Sequence, residues 1–182
     1  GPPIVVLPSR LLWDKGVGEF VEAARSLRRS GVDARFVLAG APDPDNPASI
    51  ETDQITAWVD EGAGEWSGWV SDMSGLLREA SIVCLPSYRE GIPKSLIEAA
   101  ASGRPIVTTD APGCRDTVLD GETGLIVPVR DSAALTDALA SLLDDRDRRS
   151  EMGRRGRLLA EREFSVSTIA RQTIAVCQEL TA

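Results

Sequence analysis

Two short apolar runs, Ile82–Leu85 and Pro105–Thr108, enclose a polar loop and a helical segment, and this arrangement limits the fold more than any other stretch. The first run ends at Pro86. The loop from Ser87 to Pro93 follows, then a helix predicted from about Lys94 to Ser102 and closed by Gly103, then the second run. A strand–loop–helix–strand unit of this length returns the second strand parallel to the first. The same rhythm recurs along the chain. Ile4–Leu7 is a continuous apolar run, as expected of a strand buried on both faces. A helix is expected from about Gly18 to Ser30, with Phe20, Val21, Ala24 and Leu27 on one face. Ala34–Ala39 reads as the next strand, about Ala48–Glu61 as a helix, the residues around Trp66 to Gly68 as a short strand, and Met73–Ala80 as a helix capped by Asp72. Thr123–Val127 reads as a last strand, and Ser132 as the cap of a helix carrying Leu135, Leu139 and Leu142. Both signs of charge crowd the segment from Asp144 to Glu163, read as a solvated helix face, and a final amphipathic helix is expected over about 165–180. Strands alternating with helices in this order predict an α/β fold with a doubly wound parallel sheet, in one domain over residues 1–182.

Composition removes several classes of function. Twenty basic against 28 acidic residues give a net charge of −8, which argues against nucleic acid as a partner. No histidine is present, so imidazole catalysis and histidine metal sites are excluded within this chain. Cys84, Cys114 and Cys177 are odd in number and far apart, which suggests neither a disulfide framework nor a zinc site. No leader-like segment and no apolar run near 18 residues occurs, so the expected compartment is reducing cytoplasm. No GxGxxG run follows any strand, which argues against a dinucleotide dehydrogenase.

The residues that could carry chemistry lie just after expected strands, where open α/β sheets bind ligands. Arg10 and Lys15 follow the first strand in SRLLWDKG. They are two cations able to meet a diphosphate, Arg as a fork and Lys as a point charge, or else two surface cations flanking a helix start. Glu90, Gly91, Ile92 and Pro93 stand just ahead of a helix N-terminus opened by Lys94 and Ser95, whose backbone amides favour an anion. Glu98 lies within that helix among Leu96, Ile97, Ala99 and Ala100, a setting in which a carboxylate is either paired or serves a ligand. Trp69 and Val70 follow the short third strand; Trp69 is read as a core or interdomain aromatic in preference to a base-stacking one.

The run PSYREGIPKSLIEAAASGRPIVTTD, with its two glutamates eight positions apart, resembles the donor-binding signature of the retaining family 4 glycosyltransferases, which have the GT-B fold. The likeness extends from about Ile4 to Leu180. It implies that this chain is the C-terminal, donor-binding half of such an enzyme, Rossmann-like in fold, with the N-terminal acceptor domain absent. It implies a nucleoside diphosphate sugar as substrate, with a UDP- or GDP-sugar expected, and no required cofactor or metal. On the matching positions, Arg10 and Lys15 hold the diphosphate, Glu98 the ribose hydroxyls, and Glu90 the donor sugar. Lys94 is a further cation for the leaving group, and backbone around Val70 meets the base. The implied catalytic residues are Glu90, Lys15 and Arg10. The family's Gly before the arginine is Ser9 here, and where the family has Gly-Gly and then Glu this chain has Pro112, Gly113 and, three residues on, Asp116. The resemblance further implies a saccharide or lipid-linked acceptor, bacterial polysaccharide or lipid-linked oligosaccharide synthesis, and a full-length protein at the inner face of the cell membrane. A sugar-nucleotide epimerase half of the same fold and a non-catalytic nucleotide-binding module are the alternatives.

Overall fold

The computed structural model describes residues 1–180; of residues 172, 173, 176, 177, 179 and 180 it describes the backbone alone. Cys177 therefore lies outside the described side chains. Six parallel strands, β1 (Ile4–Pro8), β2 (Arg35–Ala39), β3 (Glu65–Gly68), β4 (Ile82–Leu85), β5 (Ile106–Thr109) and β6 (Gly124–Val127), form one sheet in the order β3-β2-β1-β4-β5-β6. The helices are α1 (Val17–Arg29), α2 (Thr52–Asp60), α3 (Met73–Glu79), α4 (Lys94–Ala101), α5 (Ser132–Asp144), α6 (Arg146–Glu163) and α7 (Val166–Leu180).

The continuous apolar runs sit where two-sided burial puts them. β1 and β4 pair at the centre, Val5 opposite Ile82 and Val6 opposite Val83, and alternate residues feed two cores. One core joins Val5, Leu7 and Phe36 to Phe20 of α1, Trp58 of α2 and Leu139 of α5; Phe20 and Phe36 meet edge to face at 6.0 Å. The other joins Val6, Val83 and Leu85 to Leu77 of α3, Leu96 of α4 and Ala160 of α6. Leu96 is fully buried, which stabilises the fold by about 2 kcal/mol on area grounds.

The structure corrects two local expectations. Residues 48–50 are not the start of α2. Ala48 ends a turn, and the segment then runs against the loop after β1, with Trp13 N–H donating to the Ala48 carbonyl (2.8 Å) and Ile50 N–H to the Leu11 carbonyl (3.0 Å). This pairing buries Ile50 and delays the helix to Thr52. The cap of α5 is Asp131, not Ser132; its Oδ1 accepts from Ala134 N–H at 2.8 Å. Asp131→Ala is therefore expected to cost about 1 kcal/mol in a urea titration, and Ser132→Ala less than about 0.5 kcal/mol. The reverse ranking would restore Ser132 as the cap. The charge-dense segment is the solvated helix face expected of it, laced with ion pairs on its outer side. Arg154 and Arg155 grip Glu151 there and hold its carboxyl down to about 2. Met152, Gly153, Gly156 and Ala160 face inward. Cys84 and Cys114 are free and buried, and burial raises both thiol pKa values. Among the described residues, no helix is long and apolar enough to cross a membrane.

Candidate active site

The sheet order reverses between β1 and β4, so the loops leaving these two neighbours diverge to opposite faces and open a crevice at their carboxyl ends. Arg10 and Lys15 enter it from the β1 side, and Glu90 to Ser95 from the β4 side. The two loops are stitched together. Tyr88 N–H donates to the Asp14 carbonyl at 2.9 Å and Ser87 Oγ to the same carbonyl at 3.2 Å. Gly16 adopts φ 72°, and a Cβ there would overlap the Pro86 carbonyl, so only glycine lets the start of α1 lie against the end of β4.

Across this seam Lys15 Nζ meets Glu90 Oε1 at 2.6 Å. The side chains are only 13% and 16% exposed, so the expectation of a surface lysine is wrong: the Gly16–Pro86 contact draws Lys15 inward. Glu90 is held by its backbone as well. Its N–H donates to the Pro112 carbonyl (3.1 Å), and a Cβ on Gly113 would overlap the carbonyls of Glu90 and Gly91. Asp116, one methylene shorter than glutamate, accepts from Gly113 N–H at 2.9 Å and fixes that turn. Thr109 Oγ1 donates to the Ser87 carbonyl, tying the loop to β5.

No side chain caps α4, which starts after Pro93, so its first amides face the crevice uncapped. Lys94 is 88% exposed and leans on Glu98 at 3.5 Å. Leu96, Ala99 and Ala100 are buried as expected, but Ile97 is half-buried and so is Glu98. Glu98 lines a hollow with Ser71, Asp72, Met73 and Ser74. Met73 also lines a mainly apolar pocket of about 430 Å³ with Val70, Trp69, Gly40, Ala41 and Pro42. Trp69 is 80% exposed and lies at the rim of that pocket, which corrects its reading as a core residue of this domain. Arg10 also borders the pocket, its Nη1 held by Asp43 Oδ2 at 2.5 Å.

Lys15, Glu90, the α4 N-terminus, Glu98 and Val70 thus share one edge of the sheet. Three contributors were not singled out in the sequence. Gly40 packs its Cα on the Ser9 carbonyl and lines the pocket; the Gly-Ala-Pro turn after β2 was the available signal. Tyr88 donates its hydroxyl to Glu19 at 2.6 Å and carries the Arg130 guanidinium 4.6 Å over its ring. Burial, then the Glu19 bond, push the Tyr88 phenol up to about 12. Asp43 could not be found by pattern, because it reaches Arg10 across 33 residues.

The crevice and sheet order define a doubly wound α/β domain with an open cleft at its strand carboxyl ends, and sequence comparison places it in a family. Residues 2–145 match the family model described as glycosyl transferases group 1, and the chain belongs to that family. It is 39% identical over 145 residues to the N,N'-diacetylbacillosaminyl-diphospho-undecaprenol alpha-1,3-N-acetylgalactosaminyltransferase of Campylobacter jejuni, covering 79% of this chain and 36% of that protein. Its fold matches HepE of Anabaena, crystallised with UDP, with TM-score 0.86 and 22% identity over 98% of this chain and 49% of that one. It also matches the C-terminal domain of the group 1 glycosyl transferase LpcC of Francisella tularensis, with TM-score 0.79 and 22% identity over 91% and 88% of the two chains. The expected fold, a Rossmann-like half of the GT-B architecture, is thereby borne out. The chain spans less than half the length of the curated relatives it matches.

Proposed function

We propose that this chain binds a nucleoside diphosphate sugar as the donor for retaining glycosyl transfer, the acceptor being presented by an N-terminal domain of the same enzyme. The observation that carries the reading is the meeting of Lys15 and Glu90 at 2.6 Å across the β1–β4 seam, beside the uncapped start of α4. The diphosphate takes Lys15, Arg10 and the amides of Lys94 and Ser95, which neutralise the charge that builds up as it leaves; no metal is required of this set. Lys94 adds a solvent-facing cation. The base enters the pocket by Val70, and the ribose hydroxyls donate to Glu98 in the adjoining hollow. Glu90, with Gly91, Ile92 and Pro93 shaping its loop, orients the sugar and faces the positive charge that develops at the anomeric carbon.

Crystals of HepE hold UDP and UDP-glucose, and the Campylobacter relative is named for transfer to a diphospho-undecaprenol carrier. The first supports a UDP-sugar donor, with a GDP-sugar the alternative, and the second a lipid-linked acceptor; the reading extends to a saccharide acceptor, to polysaccharide or lipid-linked oligosaccharide synthesis, and to a place at the cytoplasmic face of a membrane. The two glutamates separate by ligand. Calorimetric titration with UDP, UDP-glucose, GDP and GDP-mannose is expected to show Glu98→Gln weakening the nucleotide and the nucleotide sugar alike, by about tenfold. Glu90→Gln weakens the sugar-bearing donor far more than the plain nucleotide, which lacks the group Glu90 holds and feels only the loosened Lys15. Equal losses for both ligands in both variants would overturn these roles.

A further inference from the structure

A second cleft lies at the other end of the sheet. Arg104 precedes β5 and Ser81 precedes β4, so both stand at strand amino ends, whereas Lys15 and Glu90 stand at carboxyl ends. Four strand residues at about 3.3 Å each separate the two. Between the turn after α4 and the first half of α6 is a cleft of about 460 Å³, lined by Arg104, Arg146, Arg149 and Arg154 with the hydroxyls of Ser81 and Ser150. Glycine builds it. A Cβ on Gly153 would overlap the Gly103 carbonyl, so only glycine allows α6 to lie on that turn and set its arginines around Arg104.

The charge balance of this cleft is unlike the rest of the molecule. The chain carries −8 overall, yet no carboxylate lines the cleft. Arg104, Arg146 and Arg149 have no carboxylate within ion-pair distance among the described residues. Arg104 Nη2 donates to the Arg78 carbonyl at 2.7 Å, and Arg149 Nη1 to the Leu143 carbonyl at 2.8 Å and to that of Leu142. Only Arg154 is paired, with Glu151, which it shares with Arg155. Glu79 borders the adjoining groove beside Arg146 and Arg149, outside ion-pair reach of both. The Nε of Arg104 is buried with no hydrogen-bond partner among the described residues. A buried guanidinium N–H without an acceptor is costly, and converging like charges repel. The nearby carbonyls at the end of α4 are already used: those of Glu98, Ala99 and Ala100 accept from the N–H groups of Ser102, Gly103 and Arg104.

We propose that this cleft is a binding site for a phosphate-bearing anion, separate from the donor crevice. A phosphoryl group offers several acceptor oxygens to the guanidinium forks and the Ser81 hydroxyl and offsets the repulsion, and a turn of the Arg104 side chain toward it gives Nε the acceptor it lacks. The volume leaves room for a small group attached to the phosphate. The anion comes either from a soluble phosphomonoester or from a lipid headgroup.

The test is amide-resolved NMR of the ¹⁵N-labelled chain titrated with inorganic phosphate at constant ionic strength. Saturable shifts are expected at Gly103, Arg104 and residues 146–150. They persist in Lys15→Ala, which disables the donor crevice, and the apparent Kd rises about tenfold or more in Arg146→Glu. The Arg146 guanidinium has no hydrogen-bond or ion-pair partner among the described residues, so its replacement leaves the packing intact; Arg154→Gln serves as the second variant. Flotation with phosphatidylglycerol vesicles against phosphatidylcholine vesicles separates the sources. Arg146-dependent capture by the anionic vesicles alone assigns a lipid headgroup, and saturable phosphate shifts without capture assign a soluble ligand. Non-saturating drift at these amides, or binding that survives both arginine variants, overturns the proposal.

Discussion

Lys15→Ala lowers the affinity of this chain for a nucleoside diphosphate by about 1.5–3 kcal/mol, roughly ten- to 150-fold, the scale of a hydrogen bond to a charged group. The lysine is nearly buried and already oriented by Glu90 at 2.6 Å, so little ordering entropy is spent when a phosphate oxygen takes its place beside Nζ. The same geometry means that the fold feels the change, because alanine leaves the Glu90 carboxylate enclosed without its counter-ion. A second replacement separates the two effects. Lys15→Ala with Glu90→Gln regains stability in urea, since no unpaired charge remains, but does not regain affinity for the nucleotide. Calorimetry that finds the single variant binding as tightly as the parent removes Lys15 from the diphosphate site.

The isolated chain transfers no sugar and at most hydrolyses donor slowly. Holding the acceptor hydroxyl against the anomeric carbon accounts for roughly 7–11 kcal/mol of barrier, and on the function proposed above the residues gathered here position only the donor. Outside the enclosed Lys15–Glu90 pair the charges at the crevice are open to water, Arg10 and Lys94 above all, which weakens them. Joining a natural N-terminal domain to this chain restores transfer. A coupled assay of nucleoside diphosphate release, run with and without lipid-linked or saccharide acceptors, decides the matter. Acceptor-dependent release by these residues alone demands an acceptor site within them.

Much of this was legible because it is written locally. The apolar runs at Ile4 and Ile82, the stop at Gly103 and the loop from Glu90 to Pro93 each follow from a few neighbouring residues, and the parallel sheet follows from their alternation. What was not legible depends on distant partners. The depth of Lys15 is set by Gly16 meeting Pro86, and the course of residues 48–50 by the backbone of Leu11 and Trp13. The exposure of Trp69 is set by where β3 ends at the sheet's edge. Asp131 and Ser132 are both good caps, and only the backbone path into α5 chooses between them.

The seam between β1 and β4 also sets an order of assembly. Val83 and Ile106 pair across 23 residues of chain, whereas Val5 and Ile82 pair across 77. Loop closure makes the longer pairing about 1 kcal/mol more costly to initiate, before any side chain is packed. The contacts that join Lys15 to Glu90 belong to that longer closure. Each half of the crevice can form on its own side of the chain, but the crevice itself exists only once the two halves of the sheet have met, and during synthesis from the N-terminus that must wait for β4 to emerge.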